Sequence, residues 1–262
     1  MPRYKLTIAY DGTDFHGWQR QEPAGKAPLR TVQGVLNHAV QIAVGMPLSV
    51  VGASRTDSGV HAIGQVAAFT AETRIPIDRL GYAISARLPE DVQVTDASLA
   101  PDSFDPIRDA VSKCYRYTIA FPLTRPRHPP LFERRYVCWH IQPLDVALMQ
   151  AAAQKLVGEH DFAAFAHALH GRESTVRRIH QCVVTSPSPG RVHIDVAGNG
   201  FLYNMVRIIA GTLAEVGRGR LTPNDVANAL AARDRSLSGQ TFPAQGLCLL
   251  WIHYAGKDVL SV

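Results

Sequence analysis

One short stretch of the chain concentrates residue types that can do acid–base or nucleophilic chemistry. Residues 52–62 read GASRTDSGVHA and carry an arginine, an aspartate and a histidine among two glycines. Apolar, β-branched residues precede and follow this stretch, so we predict a loop between two buried strands, 48–51 and 63–70. Loops held on a rigid scaffold often carry catalytic groups, and the Asp57 carboxylate can act as a nucleophile or general base. The alternative interpretation is an ordinary Asx-type turn.

Two further segments place polar groups among apolar residues. Arg207 stands inside the apolar run 201–211, where a charged side chain must either reach water or meet a carboxylate. Tyr115 and Tyr117 share one face of a predicted strand that begins at Lys113. Aromatic residues on a strand usually belong to the core, and we interpret Tyr117 in that way.

The loop 52–62 resembles the signature loop of the tRNA pseudouridine synthase A family, G-x-x-R-T-D-x-G-V-H, at every fixed position. The resemblance implies that Asp57 is the catalytic residue and that Arg55 fills the stack left by a flipped-out nucleotide. The family strings F-L-x-x-M-V-R-x-I-x-G and [K/R]-x-Y-x-Y also match. They imply that Arg207 pairs with Asp57 and keeps it an anion. They also imply that Tyr115 stacks on the uracil and acts as a base.

The family's Y-D-G…G-W-Q-R-Q string is matched by residues 10–21. It implies RNA contacts through Arg20 and Gln21, and a packed aromatic corner is the alternative. The closing Gly246-Leu247 matches the family's G-L, which implies that Leu247 lines the active site. An ordinary buried strand residue is the other interpretation.

One family string departs from the pattern. Where the family has F-H-A-R or F-D-A-R, residues 104–108 read FDPIR, so that Arg108 stands one position later behind an inserted proline.

The apolar pattern predicts the elements that position these residues. In the first half we predict a strand, a helix, the two strands around the loop, a second helix and a further strand. Their ranges are 5–10, 31–45, 48–51, 63–70, 76–88 and 91–99. The second half repeats the order with 113–121, 145–157, 176–185, 191–197, 201–216, a helix from Thr222, and 247–254. A β-α-β-β-α-β order is typical of ferredoxin-like and RRM-like domains.

We therefore predict an α+β protein with an N-terminal half, 1–107, and a C-terminal half, 108–262. The two RRM-like halves join in a mostly antiparallel central sheet with a cleft between them, where a site can form. The pseudouridine synthase fold that the resemblance implies has the same arrangement.

Composition agrees with a soluble globular protein. The 262 residues are 46% hydrophobic and 19% charged, with no apolar run long enough for a membrane span and no signal-peptide core. We expect a cytoplasmic protein whose four separated cysteines are reduced core thiols. We read His167 and His170 as surface residues, and we expect neither a metal nor an organic cofactor.

Charge is distributed unevenly between the halves. The net charge is −2 over 1–107 and +7 over 108–262, and 22 of the 27 basic residues are arginine. Arginine suits phosphate and base recognition, although a GC-rich genome explains this bias equally well.

The resemblance implies isomerisation of uridine to pseudouridine at positions 38, 39 and 40 of the tRNA anticodon stem-loop, by a homodimer. Two alternatives come from other functional classes. One is a catalytically inactive RNA-binding protein with tandem RRM-like halves, although an RNP1 string is missing. The other is a hydrolase that uses Asp57 with His61, although the sequence has no nucleophile elbow.

Overall fold

The computed structural model describes residues 1–25, 27–124, 128–167 and 173–255. The chain divides into two compact units: the first contains Met1–Val111 and the chain from Leu249 onward, and the second contains Ser112–Cys248. The sequence-based division into 1–107 and 108–262 stays a prediction. It differs from these units mainly in counting the closing strand with the second half.

The first unit contains the predicted β-α-β-β-α-β order. Its elements are β1 (Arg3–Tyr10), α1 (Val32–Val44), β2 (Val51–Gly52), β3 (His61–Thr70), α2 (Ile77–Ser85) and β4 (Val92–Ala100). Strand β1 lies between β3 and β4 and is antiparallel to both, and β2 pairs antiparallel with β3. Alternate residues of β1 are buried, so the sheet has an apolar face. The signature loop joins β2 to β3.

Helix α1 begins and ends where the sequence predicts. The Thr31 hydroxyl oxygen accepts a hydrogen bond from the Gly34 N–H at 3.3 Å and caps the first turn. Gly45 ends the helix in the left-handed region, with φ of 75°, and its N–H donates to the Gln41 carbonyl. Both predicted ends of this helix are confirmed.

The second unit repeats this order with additions. Its elements are β5 (Ala110–Ala120) from Ser112 onward, β6 (Cys138–Trp139), α3 (Val146–Ala153), β7 (Gly158–Asp161), β8 (Val176–Thr185), β9 (Arg191–Gly198), α4 (Met205–Gly217), α5 (Pro223–Ala232) and the start of β10 (Leu247–Tyr254). The sheet order is β5-β9-β8-β7, with antiparallel neighbours, and β6 runs parallel to β5. From Leu249 onward, β10 belongs to the first unit, where it lies beside β3.

Helix α4 is the most deeply buried helix of the second unit. It packs against α3, and apolar residues occupy nearly all of its positions. A helix that is apolar on every side belongs in a core. Arg207, in the first turn of α4, is therefore set among apolar residues, as the sequence predicts.

The structure corrects the predicted helix 201–216 at its start. Helix α4 begins at Met205, because Asn204 has a positive φ of 63° and cannot lie within a right-handed helix. The preceding residues form a turn in which the Met205 N–H donates to the Leu202 carbonyl at 3.1 Å.

Other differences concern short elements. The predicted strand 48–51 is reduced to Val51–Gly52, and the predicted helix 76–88 ends at Ser85. Strands β6 and β7 were not predicted from the sequence, since two and four residues are too short to show a period of two.

The α+β class with mostly antiparallel strands is confirmed. The predicted cleft between the two halves stays a prediction. Across residues 1–25, 27–124, 128–167 and 173–255, no helix combines the length and the apolar character that crossing a membrane requires.

Candidate active site

The signature loop presents two charged side chains around one buried residue. Arg55 is exposed and Asp57 is half-buried, whereas Thr56 between them is only 7% exposed. The loop therefore turns Thr56 into the first unit and leaves the carboxylate and the guanidinium within reach of a ligand. That is the arrangement expected of a catalytic loop on a scaffold.

Residues at and after the end of β1 bind Thr56 at its side-chain hydroxyl and at its backbone carbonyl. The Tyr10 hydroxyl and the Thr56 hydroxyl lie 2.7 Å apart in a buried hydrogen bond. The backbone N–H of Trp18 donates to the Thr56 carbonyl at 3.0 Å. Both the side chain and the backbone of the residue before Asp57 are thus fixed by the same upstream segment.

Two other contacts tie the loop to this segment. The Ser58 hydroxyl donates to the Phe15 carbonyl at 3.0 Å, and the Gly59 N–H donates to the same carbonyl at 3.4 Å. Within the loop, the Val60 N–H donates to the Asp57 carbonyl at 3.1 Å. Asp57 consequently lies in a backbone turn whose two sides are both anchored.

Glycines in the two segments allow their backbones to touch. A Cβ atom at Gly12 would lie 1.9 Å from the Val60 carbonyl oxygen, which is well inside van der Waals contact. A Cβ atom at Gly52 would meet the Trp18 indole at 2.3 Å. These approaches explain why glycine stands at both positions.

His61 is part of the same packing. Its ring is buried, and Nδ1 accepts a hydrogen bond from the Gly12 N–H at 3.0 Å. The Asp11 carboxylate lies 3.1 Å from the same nitrogen. This nitrogen of His61 therefore contacts the β1 end of the first unit, and that contact favours a structural role over the general-base role of the hydrolase hypothesis.

Arg20 and Gln21 follow the buried aromatic residues of the same string. Phe15 and Trp18 are buried, as the packed-corner interpretation predicts, whereas Arg20 and Gln21 are exposed. Arg20 Nε donates to the Glu22 carboxylate at 2.8 Å. RNA contacts by Arg20 and Gln21 stay predictions.

In the second unit, Tyr115 and Tyr117 lie on β5 in different surroundings. Tyr115 is 6% exposed and makes an edge-to-face contact with Phe201, with ring centroids 5.2 Å apart. Tyr117 is fully buried and its hydroxyl donates to the Pro243 carbonyl at 2.7 Å. Burial raises the pKa of Tyr117 well above its ordinary value, so this phenol stays protonated. Tyr117 therefore packs, as predicted.

Arg207 is held at the start of α4 by two hydrogen bonds. Its Nε donates to the Phe242 carbonyl at 2.7 Å, and its Nη1 donates to the Asn204 side-chain oxygen at 2.7 Å. The Phe242 N–H donates in turn to the Arg207 carbonyl at 3.2 Å. These bonds fix the direction of the guanidinium, and a guanidinium held in orientation matches the planar geometry of a carboxylate or phosphate.

Leu247 begins β10 and is buried. Its role in lining the active site stays a prediction. The preceding Gly246 lies against Tyr117, since a Cβ atom there would come within 2.6 Å of the phenol ring. Gly246, near the end of the second unit, thus packs against Tyr117, whose ring also contacts Phe242.

The shifted Arg108 belongs to a tight turn in the first unit. The N–H groups of Arg108 and Ile107 donate to the Asp105 carboxylate at 3.0 and 2.8 Å, and these bonds lower the pKa of that carboxyl. The inserted Pro106 has a structural use, because its carbonyl accepts a hydrogen bond from the Tyr254 hydroxyl. The Arg108 side chain itself is exposed.

The predicted catalytic and substrate-binding residues divide between the two units. Asp57 and Arg55 belong to the first, whereas Tyr115, Arg207 and Leu247 belong to the second. Within the second unit, Phe201 contacts Tyr115 and lies three residues before Asn204, which binds Arg207. The pairing of Asp57 with Arg207 stays a prediction.

The remaining predicted residues do not suggest a metal site. His167 is exposed and contacts the Tyr203 ring, and His170 lies outside the described residues. In the described part of the chain, no three or more His, Cys, Asp or Glu side chains are grouped as metal ligands would be.

Sequence reasoning missed the residues that hold the site. Tyr10 and Thr56 are 46 residues apart, and their hydroxyl contact leaves no trace in local spacing. Asn204 also had no assigned role, although an asparagine just before an apolar helix is a common left-handed residue. The closely spaced Gly12 and Gly17 were the available signal of a close backbone approach.

Comparisons with known proteins identify the family of the chain. The family model described as tRNA pseudouridine synthase matches residues 6–107 and 152–255. The tRNA pseudouridine synthase A of Geotalea uraniireducens (strain Rf4) is 46% identical over 97% of this chain and 100% of its own length. The protein of the same name from Solidesulfovibrio magneticus is 47% identical over 100% of this chain and 94% of its own length.

One solved structure shows a much weaker likeness. A chain in a crystal structure of a Cbf5-Nop10-Gar1 complex matches with a TM-score of 0.34 and 9% identity, over 94% of this chain and 57% of that chain. This score carries no argument about fold or function. The family model and the full-length relatives are sufficient: the chain belongs to the tRNA pseudouridine synthase family, the isomerases that convert uridine in tRNA to pseudouridine.

Proposed function

We propose that Asp57 is the catalytic carboxylate with which this chain isomerises uridine in tRNA. The supporting observation is that Asp57 is a half-buried carboxylate in a loop whose backbone is anchored on both sides of it. A group that is fixed before substrate binds loses little orientational freedom when it reacts.

The reaction rearranges atoms within one nucleotide. The bond between N1 and C1′ breaks, C5 joins C1′, a proton leaves C5, and N1 takes up a proton. A carboxylate can assist in three ways: by forming an acylal at C1′, by adding to C6 of the uracil, or by taking the C2′ proton on a glycal route. All three routes remain open, and each needs Asp57 as an anion.

We assign roles in the second unit on the basis of the family resemblance. Arg207 pairs with Asp57 and stabilises its charge. Its fixed guanidinium supports this role, because a bidentate partner must be held in orientation. Tyr115 stacks on the uracil and removes the C5 proton after C5 has joined C1′. Leu247 lines the pocket beside the base.

The proposed substrate is the anticodon stem-loop of tRNA at positions 38, 39 and 40. A paired uridine is out of reach, so the nucleotide must be flipped out at a cost of a few kcal/mol. The exposed Arg55 beside Asp57 is suited to fill the vacated stack, and the exposed Arg20 and Gln21 are suited to contact the RNA backbone. We further propose a homodimer in the cytoplasm.

The test uses an unmodified tRNA transcript with uridines at positions 38 to 40. The transcript is incubated with wild type, with Asp57→Ala, and with Asp102→Ala, which removes an exposed carboxylate of the same unit outside the loop. Pseudouridine is mapped by primer extension after carbodiimide treatment. We expect stops at these positions with wild type and Asp102→Ala, and none with Asp57→Ala.

Each other outcome removes part of the proposal. Primer-extension stops with Asp57→Ala would show that the activity persists without this carboxylate and would exclude Asp57 as the catalyst. Stops at other positions only would move the target away from the anticodon stem-loop. Intact tRNA binding without stops on any tRNA would favour the inactive RNA-binding protein. Cleavage of a simple ester or nucleoside without RNA would favour the hydrolase.

A further inference from the structure

We propose that Tyr10 and Trp18 are positioning residues for Asp57, and that the aromatic residues of this segment act on the catalytic loop instead of on RNA. The inference rests on the proposed catalytic role of Asp57. The positioning segment comprises residues 10–18, which run from the end of β1 to the indole beside the loop.

The positioning segment holds the residue next to Asp57 at two atoms. The Tyr10 hydroxyl binds the Thr56 hydroxyl at 2.7 Å, and the backbone N–H of Trp18 donates to the Thr56 carbonyl at 3.0 Å. The Thr56 carbonyl carbon is bonded to the backbone nitrogen of Asp57. Fixing this peptide therefore sets the direction in which the Asp57 side chain leaves the backbone.

Burial makes the hydrogen bond between Tyr10 and Thr56 hard to replace by water. Tyr10 and Thr56 are 5% and 7% exposed, and Trp18 is 1% exposed, so water cannot readily replace a lost partner. A buried hydroxyl without its partner is costly, and the loop is expected to shift until the hydroxyl is solvated. Trp18, which is 1% exposed, offers no free ring face on which an RNA base could stack.

Close packing leaves little room for such a shift in the intact protein. The backbone at Gly17, with a φ of 85°, lies so close that a Cβ there would be 2.7 Å from the Thr56 carbonyl oxygen. The backbones of the two segments also touch at Gly12 and Val60. The positioning segment thus constrains the loop on both sides of Asp57.

The consequence is a specific kinetic signature. Misplacing a reacting group by about 1 Å can cost on the order of a hundredfold in rate, without a change in substrate contacts. Loss of the hydroxyl pair should therefore lower kcat and leave KM for tRNA nearly unchanged. Loss of an RNA contact would raise KM instead.

The experiment compares two tyrosines on one face of β1. Tyr10→Phe removes the hydroxyl that binds Thr56. Tyr4→Phe removes a hydroxyl from an equally buried tyrosine of the same strand, whose ring stacks on Phe69. The rate is followed as release of tritium from tRNA that carries 5-tritiated uridine, and melting temperature is measured alongside. We expect kcat to fall about tenfold or more for Tyr10→Phe, with KM within about twofold, and no change for Tyr4→Phe.

Substitutions at Thr56 test the same bond from its other end and keep the proposal testable if Tyr10→Phe fails to fold. Thr56→Ser keeps the hydroxyl and should retain kcat. Thr56→Val removes it and should lower kcat as Tyr10→Phe does. The double variant Tyr10→Phe/Thr56→Val should lose no more kcat than the more affected of the two single variants, because both substitutions remove the same hydrogen bond.

Three results would overturn the inference. In the first, the melting temperature of Tyr10→Phe falls while kcat is unchanged, which describes a purely structural role. In the second, KM rises with kcat unchanged, which describes an RNA contact. In the third, Thr56→Ser loses as much as Thr56→Val. Failure of the proposed function gives a different pattern, because Asp57→Ala would then remain active whatever Tyr10→Phe shows.

Discussion

The two units hold their predicted catalytic residues by different means. In the first unit, Asp57 lies on an irregular loop and is fixed by bonds from a segment some forty residues upstream in the chain. In the second unit, Tyr115 lies within strand β5 and Arg207 in the first turn of α4, where the regular backbone does most of the positioning. A loop has no regular backbone hydrogen bonds of its own, so other segments of the structure must fix its orientation.

This difference predicts how each unit responds to substitution. In the first unit, a change in the positioning segment should reduce catalysis by more than the loss of stability explains. In the second unit, a change in the regular elements should mainly alter the free energy of unfolding. Substitutions in the two units test this contrast.

Among substitutions outside the proposed catalytic residues, Gly12→Ala should have the largest effect. The added Cβ would lie 1.9 Å from the Val60 carbonyl oxygen, so the loop has to move away from β1. We expect kcat to fall about a hundredfold and the free energy of unfolding to fall by about 2 kcal/mol, measured by tritium release and urea unfolding.

Gly81→Ala is the matched control for this substitution. Gly81 lies in α2 of the same unit, and its Cβ would meet nothing closer than 3.4 Å. Alanine is a better helix former, so stability should rise by about 0.5 kcal/mol with kcat unchanged. Equal losses for the two variants would show that any added methyl group in this unit is harmful, and the contrast would fail.

Asn204 offers a test in the second unit that separates backbone strain from side-chain orientation. Asn204→Ala and Asn204→Gly both remove the oxygen that binds Arg207 Nη1, so both should lose about fivefold in kcat. Both variants must adopt the positive φ of 63° at this position, and only alanine does so at a steric cost, of about 1 kcal/mol in stability. Chemical unfolding and single-turnover rates measure the two effects. A glycine variant with the full wild-type rate would show that the Asn204 contact does not orient Arg207.

Asp161 should affect stability alone, and only above acidic pH. The Thr175 hydroxyl, the Ala163 N–H and the Arg233 guanidinium bind this carboxylate and hold its pKa below the ordinary value. A lowered folded-state pKa means that the stabilisation is present above the unfolded pKa of about 3.9 and is lost as the pH falls through the folded pKa.

Asp161→Asn should therefore lower the free energy of unfolding by about 1 kcal/mol at pH 7, and the difference from wild type should shrink as the pH falls below the unfolded pKa of about 3.9. Urea unfolding across this pH range is the measurement, and kcat at pH 7 should be unchanged. A constant difference at every pH would exclude the ionised carboxylate as the cause.

Much of the fold could be predicted because local chemistry decides it. The capped helix from Thr31 to Gly45 and the helix that begins at Thr222, with its Asp225 capping box, appear in the structure where their sequence signals stand. The strands of the hairpin across residues 186–190 also agree. In each case the residues that define the element are neighbours in sequence.

The rest could not be predicted because distant contacts decide it. Helix α4 starts late because Asn204 adopts a left-handed conformation that the apolar run around it does not reveal. Strand β7 is polar, with Glu159 and Asp161 among its four residues, and only its pairing with β8 makes it a strand. The bond between Tyr10 and Thr56 likewise depends on the register of the folded sheet.

The most direct test of the account is the single-turnover rate of Asp57→Asn. Asparagine has the shape of aspartate and can keep the loop packed, yet its amide is neither an anion nor an effective nucleophile. The rate is measured as tritium release from 5-tritiated uridine in a tRNA transcript, with tRNA binding and melting temperature confirmed for each protein. We predict wild-type binding and stability with no detectable release. A rate within tenfold of wild type would contradict the claim that the Asp57 carboxylate does the chemistry.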